Sequence, residues 1–139
     1  LNHAVRKKGI PLLGICLGMQ LLAEKGYEVR ECNGLGYIEG EIVRFIPSEM
    51  KERIPHVGWN NIEKNLEIPL LDGIPDNTNF YFVHSYYFKA LREENIAAVT
   101  PYCGEFPSIV VKDNIVGTQF HPEKSQKAGF KVIKNFLRM

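Results

Sequence analysis

The stretch PLLGICLGMQLLAEKG, residues 11–26, decides the fold. Pro11 to Ile15 is a short apolar run with the character of a buried strand. Leu17 to Lys25 is a helix-compatible run that Gly26 would close. Between them stands Cys16, flanked by Gly14 and Gly18, in the form G-x-nucleophile-x-G. That arrangement has the logic of a nucleophile elbow, in which the glycines leave room for a sharp turn at the end of a sheet. The N–H of Leu17 is then free to donate to a developing oxyanion, and the helix N-terminus favours thiolate over thiol. Five residues alone favour a small buried core cysteine, the commonest use of a free thiol. The strand before and the helix after tilt the reading toward a nucleophile.

Outward from the elbow the texture is mixed. The opening LNHAVRKKG reads as the last turns of a helix, with Leu1 and Val5 four apart and Gly9 as its cap. A helix tail running at once into a strand predicts that earlier elements of the domain precede Leu1. Residues 1–139 are therefore expected to form one N-terminally incomplete domain. Downstream, Val29 to Cys32, Tyr37 to Ile46, Val57 to Glu63, Phe80 to Phe88 and Ile96 to Tyr102 are strand-like. Ser108 to Phe120 reads as a hairpin turning at KDN, with Asn114 suited to a left-handed conformation. The ending GFKVIKNFLRM predicts a helix with Phe130, Ile133, Phe136 and Leu137 on one face. The sum is an α/β domain whose single sheet carries parallel and antiparallel parts.

Composition narrows the function. Lys and Arg total 17 against 16 Asp and Glu, a balance that gives no footprint for nucleic acid or an anionic membrane. The longest apolar stretch, Ile10 to Ala23, is interrupted and falls short of the ~18 residues of a membrane span. No basic-then-apolar leader precedes it. Three cysteines, Cys16, Cys32 and Cys103, stand at no metal-ligand spacing, so a reduced cytoplasmic setting is expected, with Cys32 and Cys103 structural.

A cysteine nucleophile needs a base, and the base needs an orienting partner. QFHPE, residues 119–123, offers both. Pro122 biases His121 toward an extended backbone, in which His121 and Glu123 share a face. Spacing alone is equally compatible with a surface loop histidine beside a solvated glutamate. Of the other histidines, His3 is expected in solvent, His56 in a loop after Pro55, and His84 in an aromatic strand with a satisfied core role.

PLLGICLGMQLLAEKGYE together with GTQFHPEKSQKAG closely resembles the class I, triad-type glutamine amidotransferases. Within that superfamily GLGYIEG, IPHVGWNNI and FYFVHSYYF are similar, in the same order, to the glutaminase-subunit family of imidazole glycerol phosphate synthase. The resemblance covers nearly the whole chain and implies a flavodoxin-like three-layer mixed sheet whose N-terminal strands lie outside it. It implies Cys16 as nucleophile, His121 as general base and acid, and Glu123 as the residue that orients the histidine. Leu17 and Gly18 then lie on the oxyanion and substrate side of the elbow, and Gln20 helps hold the glutamine substrate. His84, Ser85 and Tyr86 match a strand-end segment whose backbone contacts the substrate. The implied partner is a (βα)8-barrel cyclase, in a heterodimer, that takes the ammonia into imidazole glycerol phosphate and histidine synthesis. Trp59, Asn60, Tyr81 and Lys124 fall where the family docks and gates that partner, although core aromatics and a solvated charge would look the same. No metal or organic cofactor is required.

Two departures qualify the match. Val57 stands where PHMGWN has methionine, a mild apolar swap. The glycine-rich loop that completes the family's oxyanion hole has no counterpart, which predicts that this segment alone is not a competent enzyme. Two other readings stay open: the same glutaminase chemistry serving another synthase, such as one amidating a sugar, and a non-catalytic interaction module of the same fold.

Overall fold

The computed structural model describes residues 1–139. The opening residues form a helical turn, His3–Lys7, ended by Gly9 in the left-handed region (φ 66°). Strand β1 (Leu12–Ile15) follows, then helix α1 (Leu17–Gln20). Two short pieces, β2 (Lys25–Gly26) and β3 (Cys32–Asn33), lead into β4 (Gly40–Arg44). Next come β5 (His56–Asn61), β6 (Glu63–Lys64), β7 (Asn79–His84) and β8 (Tyr86–Ala90). The chain ends with β9 (Ile96–Pro101), β10 (Glu105–Lys112), β11 (Ile115–Thr118) and helix α2 (Gln126–Phe136). No helix is long and apolar enough to cross a membrane.

The strands divide into three sheets rather than one. The largest has the order β1-β11-β10-β9-β6, parallel at β1/β11 and antiparallel elsewhere. A second has the order β3-β2-β4-β8, and β5 pairs with β7 alone. The break lies at Ser85, which splits the aromatic run expected as one strand. Its first half pairs with β5 and its second half with β4.

The large sheet is buried on both faces, as alternation along its central strands requires. Ile109 and Val116 face one core, with Phe80, Phe82, Phe106, Phe120 and Val132. Their neighbours Val110 and Ile115 face the other, with Met19, Leu22, Ile38 and Phe88.

Several local expectations are corrected. The helix after Cys16 does not reach Gly26 but stops at Gln20. The carbonyls of Leu21, Leu22, Ala23 and Glu24 are taken by N–H groups of residues 34–38, so the incoming loop replaces the next helical turn. The strand expected at Val29 to Cys32 shrinks to β3, and Val29 stands in solvent. At the β10–β11 turn the left-handed residue is Asp113 (φ 53°), not Asn114. The Asn114 amide instead donates to the carbonyls of Val5 (3.0 Å) and Ile10 (2.7 Å), tying the N-terminal turn to the sheet.

The buried stripe of α2 is Gly129, Val132 and Asn135, while Phe130 and Leu137 are exposed. Polar anchoring sets that rotation. The Asn135 amide donates to the carbonyls of Leu70 (2.9 Å) and Asp72 (2.8 Å). Gly129 lies so close to the Pro122 carbonyl that a Cβ would approach it to 1.7 Å.

Candidate active site

Cys16 lies one residue beyond β1, and its N–H donates to the Thr118 carbonyl (2.7 Å), extending the parallel ladder with β11. Its backbone then turns to φ 50°, ψ −104°. A non-glycine residue holds such a conformation only when its surroundings over-determine it, at a cost of about 1–3 kcal/mol. Gly14 is one reason the turn closes, since a Cβ there would meet the Gly18 carbonyl at 2.6 Å. Gly18 itself faces open space.

Around the half-buried sulfur the contacts are polar. The thiol donates to the Val83 carbonyl (3.9 Å), and the Gln119 amide donates to the sulfur (3.7 Å). Burial pushes the Cys16 thiol up, while the Leu17 N–H and the Gln119 amide pull the other way. Glu123 and Lys124 act on it with opposite signs. The Leu17 N–H at the start of α1 favours thiolate, as expected of a helix N-terminus, but α1 is one turn long and the desolvation of the charge outweighs it.

His121 follows β11 by three residues, and its N–H donates to the Tyr81 carbonyl (2.9 Å). Its ring Nδ1–H donates to Glu123 Oε1 (2.6 Å), which leaves Nε2 as the free nitrogen. Ser125 pins the turn from below: its hydroxyl donates to the His121 carbonyl (2.6 Å) and accepts the Tyr81 N–H (3.0 Å). Cys16 and the His121–Glu123 pair thus share the carboxyl end of the β1/β11 pair and the flank of β7.

Gln20 sits one turn beyond Cys16, and its amide donates to the Tyr86 carbonyl (3.1 Å) and to Gln119 Oε1 (3.4 Å). Beside it a cleft of about 240 Å³ opens, walled by Leu17 and Gln20 on one side and by Tyr27, Glu28 and Arg30 on the other. The Tyr86 hydroxyl donates to the Glu28 carbonyl (3.0 Å), joining that wall to β8. Ser85 accepts the Phe45 N–H through its carbonyl (3.1 Å). Cys32 is exposed at the same cleft rather than packed in a core.

His56 is not a loop residue. It opens β5, buried, and its Nδ1 lies 3.0 Å from His84 Nε2. His84 Nδ1–H donates to the Tyr86 carbonyl (2.9 Å), so its Nε2 is the acceptor and His56 the donor. His56 Nε2 accepts in turn from the Asn60 amide (3.3 Å). Burial holds both rings neutral, pushed down to about 4.

The remaining candidates lie on the outer side of the β5–β7 ribbon. Trp59 pairs across it with Tyr81, edge to face at 6.0 Å, and is half exposed. Lys124 is exposed on the turn after His121. Asn60 turns inward instead, its amide donating to the Pro101 carbonyl (3.0 Å) as well as to His56. No three His, Cys, Asp or Glu side chains cluster as a metal site.

Sequence reasoning passed over Gln119 and Glu28. For Gln119 a signal was present. The extended alternation expected for QFHPE would have put Gln119 on the face of His121, although the chain is extended only to His121 and Pro122–Lys124 form a 3-10 turn that brings Glu123 back to the ring. Glu28 lies in an irregular loop with no periodicity to read.

A family model, "Glutamine amidotransferase class-I", matches residues 1–139. The chain belongs to the class-I glutamine amidotransferase family. This amidotransferase chain is 50% identical over 135 residues to the imidazole glycerol phosphate synthase subunit HisH 1 of Campylobacter jejuni, covering 97% of this chain and 65% of that one. It is 48% identical to the HisH subunit of Brucella abortus, with coverages of 99% and 65%, and 49% identical to HisH 1 of Methanococcus maripaludis, with 100% and 66%. The amidotransferase chain therefore spans about two thirds of the length of these curated relatives, falling just short of it. Among solved structures, a glutamine amidotransferase from Thermotoga maritima aligns with TM-score 0.65 at 23% identity, over 96% of this chain and 50% of that one. Another glutamine amidotransferase aligns with TM-score 0.67 at 20% identity, over 97% and 63%. These two likenesses bear on the fold.

Proposed function

We propose that this chain carries the reactive centre of a glutaminase that releases ammonia from glutamine for imidazole glycerol phosphate synthesis, in a cytoplasmic pathway to histidine. One observation carries the reading: Cys16 is held in a strained elbow at the sheet end that also bears a histidine hydrogen-bonded to a carboxylate. Half-identity to several HisH subunits supports the assignment of the pathway.

The steps follow from the groups available. Glutamine enters the cleft beside Gln20 with its carboxamide at the elbow. Glu28 and Arg30 offer opposite charges for the α-ammonium and α-carboxylate. His121 Nε2 takes the Cys16 proton, because a thiol pushed up by burial needs a base. The sulfur attacks the carboxamide carbon, and the oxygen becomes an oxyanion within reach of the Leu17 N–H. The imidazolium, stabilised by Glu123, protonates the departing nitrogen, and ammonia leaves. Water then attacks the thioester with His121 as base, giving glutamate and the free thiol. Ser85 and Tyr86 line the substrate's path through their backbone groups.

The ammonia goes to a barrel-shaped cyclase partner docked on the face of Trp59, Tyr81 and Lys124. Trp59 and Tyr81 present half-buried aromatic area of the kind that anchors interfaces. Asn60 would act there only from beneath, since its amide is bound inside the protein.

The decisive test replaces Cys16 by Ala in the full-length protein, assayed with its partner. Glutamine-dependent synthesis should disappear while synthesis from added ammonium salt continues. Survival of the glutamine-dependent reaction would remove Cys16 from the mechanism.

A further inference from the structure

We infer that the side-chain amide of Gln119 is a further catalytic group, donating an N–H to the Cys16 sulfur and holding that sulfur as thiolate when its proton leaves; this rests on the nucleophile assignment proposed above. Gln119 is fully buried one residue past β11. The parallel register sets Thr118 opposite Ile15, so the next residue on each strand, Gln119 and Cys16, are neighbours as well.

Which end of the amide faces the sulfur follows from the hydrogen bonds around it. The Tyr86 carbonyl can only accept, so the Gln20 atom 3.1 Å from it is the NH2 group. That same NH2 lies 3.4 Å from Gln119, whose facing atom must then be the acceptor Oε1. The other end of the Gln119 amide, 3.7 Å from the sulfur, is therefore its NH2. Each link has one chemically allowed direction, so the donor at the sulfur is not a free choice of rotamer.

The sulfur gains from this donor mainly when charged. A neutral thiol is a weak acceptor, whereas a hydrogen bond to an ion is roughly twice as strong as a neutral one. The competing contact works the other way: the Val83 carbonyl accepts the S–H and so favours the thiol. The charged groups that act on the sulfur are Glu123 and Lys124, opposite in sign and adjacent in the chain, two and three residues after His121. On β7, His84 is buried and neutral, and α1 carries no titratable side chain. Gln119 is thus the side-chain donor that favours ionisation without adding net charge. When the sulfur's electron pair forms the carbon–sulfur bond the charge passes to the oxyanion, so Gln119 serves the ionisation step, while the Leu17 N–H serves that step and the next.

The test uses the full-length protein with two variants. Gln119→Met keeps the length and removes the donor; Gln119→Glu keeps an acceptor for Gln20, removes the donor and adds negative charge. Alkylation of Cys16 by iodoacetamide is followed against pH by mass spectrometry of the Cys16 peptide, alongside steady-state glutaminase kinetics with the partner. In Gln119→Met the alkylation midpoint should rise by about one pH unit, the worth of one hydrogen bond to a charged group. In Gln119→Glu it should rise further, and kcat should fall about tenfold or more in both with KM changed less than about twofold. Unchanged midpoints in a folded Gln119→Glu protein would overturn the inference and leave Gln119 a core residue. If Gln119→Met fails to fold, the Glu variant decides alone. Should Cys16→Ala retain glutaminase activity, the failure lies with the nucleophile assignment and not with Gln119.

Discussion

At the scale of single residues the site is a balance of opposed terms on one sulfur. Burial and the Val83 carbonyl favour thiol; the Leu17 N–H and Gln119 favour thiolate. Burial wins, so in the proposed mechanism His121 has to take a proton rather than merely face an anion. That proposed role depends on Glu123, which accepts from Nδ1 and so leaves Nε2 as the nitrogen free of the carboxylate. Replacing Glu123 by Gln should therefore lower kcat by roughly 10²–10⁴ with little change in KM, since the tautomer is lost but the cleft is not. Steady-state kinetics on the full-length protein with the proposed cyclase partner checks this, and a KM-only effect would assign Glu123 to binding. The same scale explains why the burial of His56 against His84 escaped the sequence reading. A hydrogen bond between residues 28 positions apart leaves no local pattern.

At the scale of elements, the strand–turn–helix passage was legible because its two glycines and apolar strand are contiguous. The glycines nevertheless differ in a way their symmetry in the motif hides. A Cβ on Gly14 meets the Gly18 backbone at 2.6 Å, which cannot yield without moving the elbow, whereas a Cβ on Gly18 meets nothing within 4 Å. Gly14→Ala should destabilise the protein by about 2–3 kcal/mol, in the upper part of the range for overpacking. Gly18→Ala should be neutral or stabilise by up to ~1 kcal/mol through helix propensity. Urea unfolding of both variants tests the contrast; equal losses would contradict it. The premature end of α1 was not legible, because LLAEKG is a sound helical sequence and yields only to the 34–38 loop that takes its carbonyls. The face of α2 was misjudged for a similar reason. Hydrophobicity selected Phe130, but a buried asparagine and the close approach of Gly129 to Pro122 set the rotation.

At the scale of the whole molecule, the buried histidine pair stands where the three sheets meet. His56 stacks on Tyr102 at 4.0 Å, and His84 lies 5.0 Å from Phe106 of the large sheet and 5.1 Å from Phe45 at the end of β4. Both rings are neutral in the fold, held at about 4 against 6.5 when unfolded. The unfolded chain thus binds more protons below pH 6.5. Stability is fully present above that value and falls as pH drops toward 4. Between pH 7 and 5 the loss should be roughly 2 kcal/mol per histidine, and His56→Gln should remove about half of the pair's slope. Urea unfolding at several pH values measures it; a flat profile across that interval would refute the arrangement.

The sequence by itself determined the class of fold, the strand running into the Cys16 elbow, the extended backbone at His121, and the family. Each of these depends on neighbours along the chain, where periodicity, glycine placement and proline act directly. Only the tertiary structure decided the division into three sheets, the early end of α1, the burial that keeps the Cys16 thiol protonated, and the relay from Asn60 through His56 and His84 to Tyr86. Those depend on strand register and on desolvation. Both are properties of distant segments brought together, and no stretch of residues read in isolation contains them.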